Sequence, residues 1–322
     1  NISLKKYGYC VTSHGGFQKR LNDKIIKKKE GLINTFRLLC DDYSRHAFVE
    51  LLTYQLMGSK RVKLWTNCKE YWDAKTRASN LPTWEEIKFK THSFNLTKTD
   101  LNPIGYPITI YTRTNAITHQ FLIPHYEYDQ VDPPVKVSNN DFVIDAGACW
   151  GETSLKFAHD CGSQGRVYSF EFEPDNLEIL NKNLKLNPEL ADRISIIKKA
   201  LWSDSASNLF FNNRGPSTKV SDDQDNQAHQ STSTMSIDDL SQSINRIDFI
   251  KMDIEGAELP ALKGAEKTLR MHRPKLAIAI YHKEDDFVKI PQYIDSLNLN
   301  YSFYIDHGTI HKEETVFFAR PN

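Results

Sequence analysis

The sequence predicts an α/β protein with a mostly parallel sheet and helices on both of its faces, preceded by a mainly helical N-terminal region. After residue 139, short apolar runs alternate with helix-compatible stretches, which is the pattern of βα units. The chain closes with two strand-like runs joined by a short turn, which predicts an antiparallel pair at the sheet edge. Within residues 17–90, apolar side chains recur at a nearly helical spacing.

Taken in order, the elements suggest three regions. We expect a helical region over 1–105, a connector or lid over 106–138, and a sheet domain over 139–322. The sheet strands are expected at 141–145, 165–170, 193–199, 247–253, 276–281, 301–305 and 314–319. Segment 212–233 has almost no large apolar side chains, so it is either a solvated loop or a lid that orders over a substrate.

Composition excludes several classes of protein. The 322 residues include 41 Lys and Arg and 41 Asp and Glu, so a chain-wide polyelectrolyte is excluded. Hydrophobic residues at 39% and aromatic residues at 11% suffice for a core and are too many for a disordered chain. A mean hydropathy of −0.53, with no apolar run near 18 residues, predicts no transmembrane helix.

The net charge of zero conceals an asymmetry. Residues 1–100 contain 19 basic and 10 acidic side chains, a net charge of +9, so the remaining 222 residues carry −9. A basic surface of this kind usually faces solvent or docks on an acidic part of the same chain. The alternative is contact with an anionic partner.

The cysteine pattern predicts a reducing, cytoplasmic location. The five cysteines are odd in number and no two have C-x-x-C spacing, so neither a disulfide framework nor a zinc site is expected. The chain also starts without an apolar signal segment. The sequence leaves the oligomeric state open.

The strongest motif runs from Asp145 to Thr153, after a predicted buried strand and at the start of a predicted helix. Gly147 and Gly151 permit a tight turn and a close backbone approach to a ligand, and the helix start offers free N–H groups. An acid at the end of the next strand, Glu171 or the nearby Glu173, is placed to accept the ribose hydroxyls of a nucleoside. The motif predicts a nucleotide-type cofactor.

Two cofactors compete for this motif. A nicotinamide dinucleotide requires G-x-G-x-x-G, but Cys149 takes the place of the middle glycine. Asp145 would repel a pyrophosphate, whereas it suits a cofactor that carries an ammonium and a sulfonium. We therefore expect S-adenosylmethionine, and a dehydrogenase is disfavoured.

Further runs resemble one family. They are Phe249-Ile-Lys-Met-Asp-Ile-Glu-Gly-Ala-Glu258 with Leu262-Lys-Gly-Ala265, Val167 to Glu171, Ala200 to Asp204, and Glu314 to Ala319. Together they resemble the FkbM family of S-adenosylmethionine-dependent methyltransferases over about residues 139–320. The resemblance implies a class I methyltransferase-like, Rossmann-type fold.

The motif and the resemblance together imply a set of site residues. The cofactor is expected at Asp145, Gly147, Ala148, Gly151, Glu152, Thr153, Glu171, Ser203, Asp204 and Asp253. The expected catalytic residues are His282 as the first candidate for a general base, then Asp253 and Glu255, and Lys251. Lys251 could instead pair with a neighbouring carboxylate. Asp253, Glu255 and His282 could alternatively hold a divalent ion, but no metal is predicted.

The resemblance implies O-methylation of a hydroxyl on a sugar, glycan or polyketide-like metabolite. N-methylation of a small molecule or peptide is a second possibility. A third is a non-catalytic cofactor-binding or scaffolding module that uses the basic region as its contact surface. A nucleic acid substrate is disfavoured because no Asn-Pro-Pro-Tyr-type run follows the fourth strand.

Overall fold

The computed structural model describes residue 21 and residues 25–88, 95–222 and 230–322. The strands are β1 (Thr83–Lys88), β2 (Asn95–Asp100), β3 (Thr109–Thr112), β4 (Phe142–Ala146), β5 (Arg166–Phe170), β6 (Ile194–Ile197), β7 (Ala200–Leu201), β8 (Asn208–Phe211), β9 (Val220–Ser221), β10 (Gln230–Met235), β11 (Phe249–Met252), β12 (Lys275–Ala279), β13 (Tyr301–His307) and β14 (Thr315–Pro321). The helices are α1 (Lys29–Leu38), α2 (Asp42–Met57), α3 (Lys69–Ser79), α4 (Thr114–Ile117), α5 (Glu152–Asp160), α6 (Pro174–Leu186), α7 (Pro188–Ala191), α8 (Ile237–Ser241), α9 (Glu258–Lys263), α10 (Glu266–His272) and α11 (Asp286–Ser296).

A seven-stranded sheet organises the molecule, with the order β13-β14-β12-β11-β4-β5-β6. The five strands from β12 to β6 run parallel, and β14 pairs antiparallel with both β12 and β13. The predicted fold class, with its antiparallel closing pair, is therefore confirmed. The ends of the central strands β4 and β11 meet at one edge, which is where ligands bind in open α/β sheets.

Successive residues along each central strand enter two different cores. Ile144 and Ile250 pack in one hydrophobic cluster, and Val143 and Phe249 pack in the other. Because strand side chains alternate between faces, these clusters lie on opposite faces of the sheet. Among the described residues, no helix combines the length and the apolar character that crossing a membrane requires.

The region before residue 105 is less helical than predicted. Helices α1 to α3 are present, but β1, β2 and β3 form an antiparallel sheet, so the helical prediction up to residue 90 was wrong for β1. Pro82 removes a backbone donor after α3, and the Thr-Trp-Glu-Glu-Ile-Lys run that follows pairs with β2. The expected boundary between residues 105 and 106 falls between two strands of this sheet.

The N-terminal helices share the core of the large sheet. Leu39 forms a bridge with Phe303, and the backbone N–H of Ile305 donates to the Ser44 hydroxyl, which is fully buried. Buried residues of α1 and α2 belong to the same cluster as residues of β4 and β11. This region therefore packs as part of the sheet domain.

Segment 212–233 is more ordered than predicted at both of its ends. β9 and β10 flank residues 223–229, which lie outside the described residues. They join β7 and β8 in a four-stranded sheet with the order β7-β10-β8-β9. The alternating Thr and Ser side chains of β10 explain the absence of large apolar residues, because most of this strand is solvent-facing.

Candidate functional site

A buried ion pair joins the ends of β4 and β11. The Lys251 ammonium donates to Asp145 Oδ1 at 3.0 Å and to the carbonyl oxygens of Ala146 and Gly147. Burial opposes the charge of Lys251, but the carboxylates of Asp145 and Asp253 raise its pKa above the usual value. Lys251 therefore pairs with a neighbouring carboxylate, which was the alternative to a catalytic role.

Asp145 is fully buried, and its second oxygen accepts hydrogen bonds from the hydroxyls of Thr153 and Ser154 at 2.7 and 2.6 Å. All of these donors belong to the protein. In this structure the carboxylate fixes the start of α5 and the end of β11, and its expected contact with a cofactor stays a prediction.

The loop between β4 and α5 uses three left-handed residues, since Gly147, Cys149 and Gly151 have φ angles of 85°, 50° and 91°. A Cβ on Gly147 would overlap the carbonyl oxygen of Asp253. Gly147 is therefore required for the close approach of two strand ends. The contact with the Asp253 backbone is thus a second reason for glycine at position 147, besides the ligand approach that the motif suggested.

The first residues of α5 are buried. Glu152 accepts a hydrogen bond from the Thr112 hydroxyl at 2.6 Å, and burial raises the pKa of this carboxyl to about 6. Ala148 and Thr153 are also buried. Ala148, Glu152 and Thr153 all line the second pocket described below.

The two acids after β5 have different roles. Glu171 Oε1 accepts the backbone N–H groups of Phe172 and Glu173, and Oε2 has a longer contact of 3.3 Å from the Asn176 amide. Burial raises the pKa of Glu171 to about 7. Glu173 is completely buried and accepts the backbone N–H of Asn176, which caps α6. Only Glu171 of the pair faces the pocket described next.

We name this pocket the glycine-loop cleft, a narrow space of about 60 Å³ along the loop after β4. Its lining includes Gly147, Cys149, Phe170, Glu171, Asn176, Ala200, Leu201, Pro216 and Asp253. Ser203 and Asp204, which were expected at this pocket, lie outside the cleft. Asp204 instead accepts the backbone N–H groups of Ala206 and Ser207 and forms the turn after β7.

Part of the segment that was expected to be a loop or lid lines this cleft. Gly215, Pro216, Thr218 and Val220 line it together with Glu171. Gly215 and Pro216 belong to a short 3₁₀ turn between β8 and β9, Thr218 follows that turn, and Val220 begins β9. That the segment orders over a substrate stays a prediction.

Asp253, directly after β11, is the centre of a polar cluster. Its Oδ2 accepts the Tyr126 hydroxyl at 2.6 Å, and the Tyr281 hydroxyl lies 3.2 Å from both carboxylate oxygens. Burial opposes the charge of Asp253, but His282 and Lys251 lower the pKa of this carboxyl below its usual value. Asp253 is therefore held as a carboxylate.

His282 lies among three carboxylates. Its Nε2 is 3.3 Å from Asp253 and 3.7 Å from Glu255, and its Nδ1 is 2.9 Å from Glu258. The nitrogens are close enough for ion pairs, although they are poorly directed for hydrogen bonds among the described residues. Burial opposes protonation, but the carboxylates of Glu255, Glu258 and Asp253 raise the pKa of His282 to about 11. At neutral pH the ring is an imidazolium, which is unsuited to accept a proton.

A second pocket adjoins the first, and we name it the tyrosine cavity. It has a volume of about 430 Å³ and shares five lining residues with the glycine-loop cleft: Gly147, Cys149, Pro216, Asp253 and Glu255. Its other walls include Tyr71, Arg113, His119, Tyr126, Trp150, Tyr281 and Glu314. The N-terminal region thus contributes directly to this cavity.

Several residues of the cavity were not singled out in the sequence. Tyr126 belongs to the run Pro-His-Tyr-Glu-Tyr before the expected sheet domain, and Tyr281 immediately precedes His282. An unusually dense aromatic run in a connector is the signal that could have indicated Tyr126. Glu314 was named only as part of the closing-strand motif.

The comparisons with known proteins all find methyltransferases. Residues 145–303 match the methyltransferase FkbM domain. The chain is 27% identical to methyltransferase sdnD from Sordaria araneosa over 191 residues, which cover 49% of this chain and 73% of that protein.

A solved structure shares the fold. The crystal structure of methyltransferase FkbM from Methylobacillus flagellatus KT superposes with a TM-score of 0.57 at 20% identity. The match covers 93% of this chain and 60% of the other, so this chain spans less than two thirds of that relative. The family match, the curated relative and the shared fold agree with the motifs at the two pockets. Residues 145–303 of this chain are therefore similar to the FkbM methyltransferase domain.

Proposed function

We propose that this methyltransferase uses S-adenosylmethionine and transfers its methyl group to a hydroxyl of a sugar, glycan or polyketide-like metabolite. The observation that carries the proposal is the shared boundary of the two pockets. Glu171 in the glycine-loop cleft suits the nucleoside end of a cofactor, the larger tyrosine cavity suits the methionine end and the acceptor, and Asp253 lines both. Transfer between two bound molecules requires such a common boundary.

The residues of the cleft fit S-adenosylmethionine. Glu171 lines the cleft, and its Oε2, which accepts one long hydrogen bond of 3.3 Å from Asn176, could accept ribose hydroxyls. The left-handed backbone at Gly147 and Gly151 opens the start of α5 to a carboxylate. In this assignment the methionine part extends into the adjoining tyrosine cavity, which Ala148, Glu152 and Thr153 line, and Asp145 acts by fixing the helix start.

The walls of the tyrosine cavity support a hydroxylated acceptor. Tyr71, Tyr126, Tyr281 and Trp150 supply aromatic surface with polar tips, which suits ligands that alternate apolar faces with hydroxyl groups. Small-molecule sites commonly combine such surface with a few well-placed polar groups. The carboxylate of Asp253 adds a proton acceptor at the cofactor side.

In the proposed step, a bond forms between the acceptor oxygen and the methyl carbon while the carbon–sulfur bond breaks and its electron pair stays on sulfur. When bound, S-adenosylmethionine supplies a methyl group that its sulfonium makes electrophilic. The hydroxyl proton passes to Asp253. A carboxylate is basic enough for this transfer, because the hydroxyl becomes strongly acidic as the new bond forms.

The other residues of the cluster support Asp253. The imidazolium of His282 and the hydroxyls of Tyr126 and Tyr281 hold its carboxylate ionised and oriented. We therefore assign His282 a charge-stabilising role in place of the general base. Alignment of the two reactants can contribute on the order of 7–11 kcal/mol, and a positioned base about 10²–10⁴-fold in rate.

The test is incubation of the full chain with methyl-labelled S-adenosylmethionine and a panel of sugars, glycans, hydroxylated polyketides and matching amines. Labelled ether products are expected with the wild-type chain. Asp253→Asn should lower kcat by about 10²–10⁴-fold while cofactor affinity, measured by calorimetry, changes little. Asp42→Asn is the control, because that side chain is fully exposed.

Different failures identify different errors. Label found only in amine products would replace O-methylation by N-methylation. Cofactor binding without transfer to any acceptor would contradict the proposed acceptor class. An unchanged kcat in Asp253→Asn would remove the assigned proton acceptor.

A further inference from the structure

His125 is a buried histidine that the proposed methyl transfer does not use. Its side chain is completely buried, and neither ring nitrogen has a hydrogen-bond partner among the described residues. A buried imidazole is normally satisfied by a protein group or by an ordered water. An unsatisfied one beside a pocket therefore points to a missing ligand.

The ring faces two carboxylates. Nε2 of His125 is 2.9 Å from Glu314 Oε2, yet the two groups lack hydrogen-bond geometry. His125, Asp253 and Glu314 each offer one atom that could bind a metal, and these three atoms lie within 4.8 Å of one another. Close donor atoms that do not point at each other are the arrangement expected of ligands directed at a common cation.

We propose that His125, Asp253 and Glu314 bind one divalent metal ion at the floor of the tyrosine cavity. One imidazole and two carboxylates suit a cation that accepts both nitrogen and oxygen ligands, with Mn²⁺ or Zn²⁺ as the matching ions. This set differs from the Asp253, Glu255 and His282 alternative considered from the sequence, because the structure brings His125 and Glu314 to Asp253.

The surroundings of the three ligands favour a cation. The hydroxyls of Tyr126 and Tyr281 orient Asp253, as groups outside the coordination shell do in metal sites. Two protein cations also lie near Asp253, but each has other carboxylate partners: the Lys251 ammonium is 3.0 Å from Asp145, and the His282 ring is 2.9 Å from Glu258 and 3.7 Å from Glu255. Glu314 has a left-handed φ of 73°, which is strained for a non-glycine residue, and strain of this kind concentrates at functional sites.

A second group of residues, Asp253, Glu258 and His282, also has close donor atoms. Glu258 Oε1 accepts the backbone N–H groups of Ile254 and Gly256, whereas Glu258 Oε2 and both His282 nitrogens lack hydrogen-bond partners among the described residues, as the His125 nitrogens do. Of this second group only Asp253 lines the tyrosine cavity, whereas both Asp253 and Glu314 of the first group line it. The His125 set is therefore the one that leaves coordination positions open to an acceptor.

A function for this ion rests on the proposed methyl transfer. A cation with open positions facing the cavity would bind an acceptor oxygen next to Asp253, at the boundary with the glycine-loop cleft. Such binding would orient the acceptor and favour loss of its hydroxyl proton. Acceptors with a second oxygen beside the methylated hydroxyl would then be preferred, because both oxygens could bind the ion.

The test is a Mn²⁺ titration of the full chain after removal of metals with EDTA, without cofactor or acceptor. Loss of the free Mn²⁺ signal in electron paramagnetic resonance measures binding, and Zn²⁺ is added as a competitor. We expect one ion per chain, displaced by Zn²⁺. His125→Gln and Glu314→Gln should each weaken Mn²⁺ binding at least about tenfold.

Glu313→Gln is the matched control, because this neighbouring carboxylate lines the same cavity outside the cluster and should leave Mn²⁺ affinity unchanged. Circular dichroism checks folding. Glu314→Gln keeps the test decisive if the buried His125 variant fails to fold, since the Glu314 side chain is 30% exposed.

The outcomes separate the two proposals. Absence of Mn²⁺ and Zn²⁺ binding by the wild-type chain would overturn the metal site even if methyl transfer is observed. Equal losses in Glu313→Gln and Glu314→Gln would also overturn it, because they indicate diffuse attraction to acidic groups. Metal binding with the expected variant pattern but without methyl transfer would overturn the proposed function alone.

Discussion

Glu171 and Glu173 illustrate how much a sequence reveals about single residues. Spacing predicted an acid at the end of β5 but left two candidates. In the structure Glu173 caps α6, and Pro174 follows it at the first helical position. A cap residue followed by proline is readable in the sequence. By contrast, the burial of Asp145 and its pairing with Lys251 depend on β4 and β11 being neighbours, which local pattern does not specify.

Glu171 should make cofactor binding depend on pH. Its pKa of about 7 means that the carboxyl is largely protonated below that pH, whereas ribose hydroxyls are best accepted by the ionised form. S-adenosylmethionine affinity should therefore rise with pH, by at most about tenfold per unit, and level off above about pH 7. Isothermal calorimetry between pH 5.5 and 8.5 measures this dependence.

The variant Glu171→Gln should bind the cofactor more weakly at pH 8, by about 1.5–3 kcal/mol, and without this pH dependence. Glu173→Gln is the paired control. It should keep a pH dependence, with the midpoint moved to lower pH because the Glu173 carboxylate helps to raise the pKa of Glu171. It should also lose about 1 kcal/mol of stability, because a helix cap is weakened. A pH profile that survives in Glu171→Gln would assign the titration to another group.

At the scale of elements, the site depends on how closely the ends of β4 and β11 approach. The glycine motif predicted a tight turn for ligand access. It did not reveal that Gly147 lies against the backbone of Asp253, because that contact joins residues more than a hundred positions apart. The βα alternation predicted the strands well, since each buried strand carries its own apolar run. The strand β1 was missed because its residues are mostly exposed.

Gly147→Ala should disturb the fold and the site together. The new methyl group would overlap the Asp253 carbonyl oxygen, and the φ of 85° is strained for alanine. Gly105→Ala is a matched control, because Gly105 has a left-handed φ of 98° with no atom within 4 Å of an added Cβ. The strain alone costs about 1–2 kcal/mol, so Gly147→Ala should lose clearly more.

Urea unfolding followed by circular dichroism compares the two glycine variants with the wild-type chain. Methyl transfer should fall only in Gly147→Ala, since that substitution displaces Asp253. Equal losses of stability in the two variants would show that the backbone conformation matters at Gly147 and the close approach of strands does not.

At the scale of the whole molecule, the opposite charges of the two chain regions meet in part within the protein. The Lys28 ammonium lies 2.7 Å from the Asp285 carboxylate beside α11. Helical periodicity predicted α1 and α2, but it could not reveal which face they cover. The structure packs them on the sheet core, and α3 and the following residues reach the tyrosine cavity. The N-terminal region is therefore structural as well as a wall of the candidate acceptor site.

This shared core predicts that the described chain unfolds as one unit. Phe48 of α2 is buried beside Phe287 of α11, with ring centroids 6.1 Å apart. Phe48→Ala should lower the free energy of unfolding by about 3–5 kcal/mol and shift a single thermal transition downward. Val49→Ala, at a neighbouring position that is 51% exposed, should change it little. If the N-terminal helices were an independent domain, Phe48→Ala would instead produce a separate transition at lower temperature. The melting of the sheet domain, monitored through loss of cofactor binding, would then be unchanged.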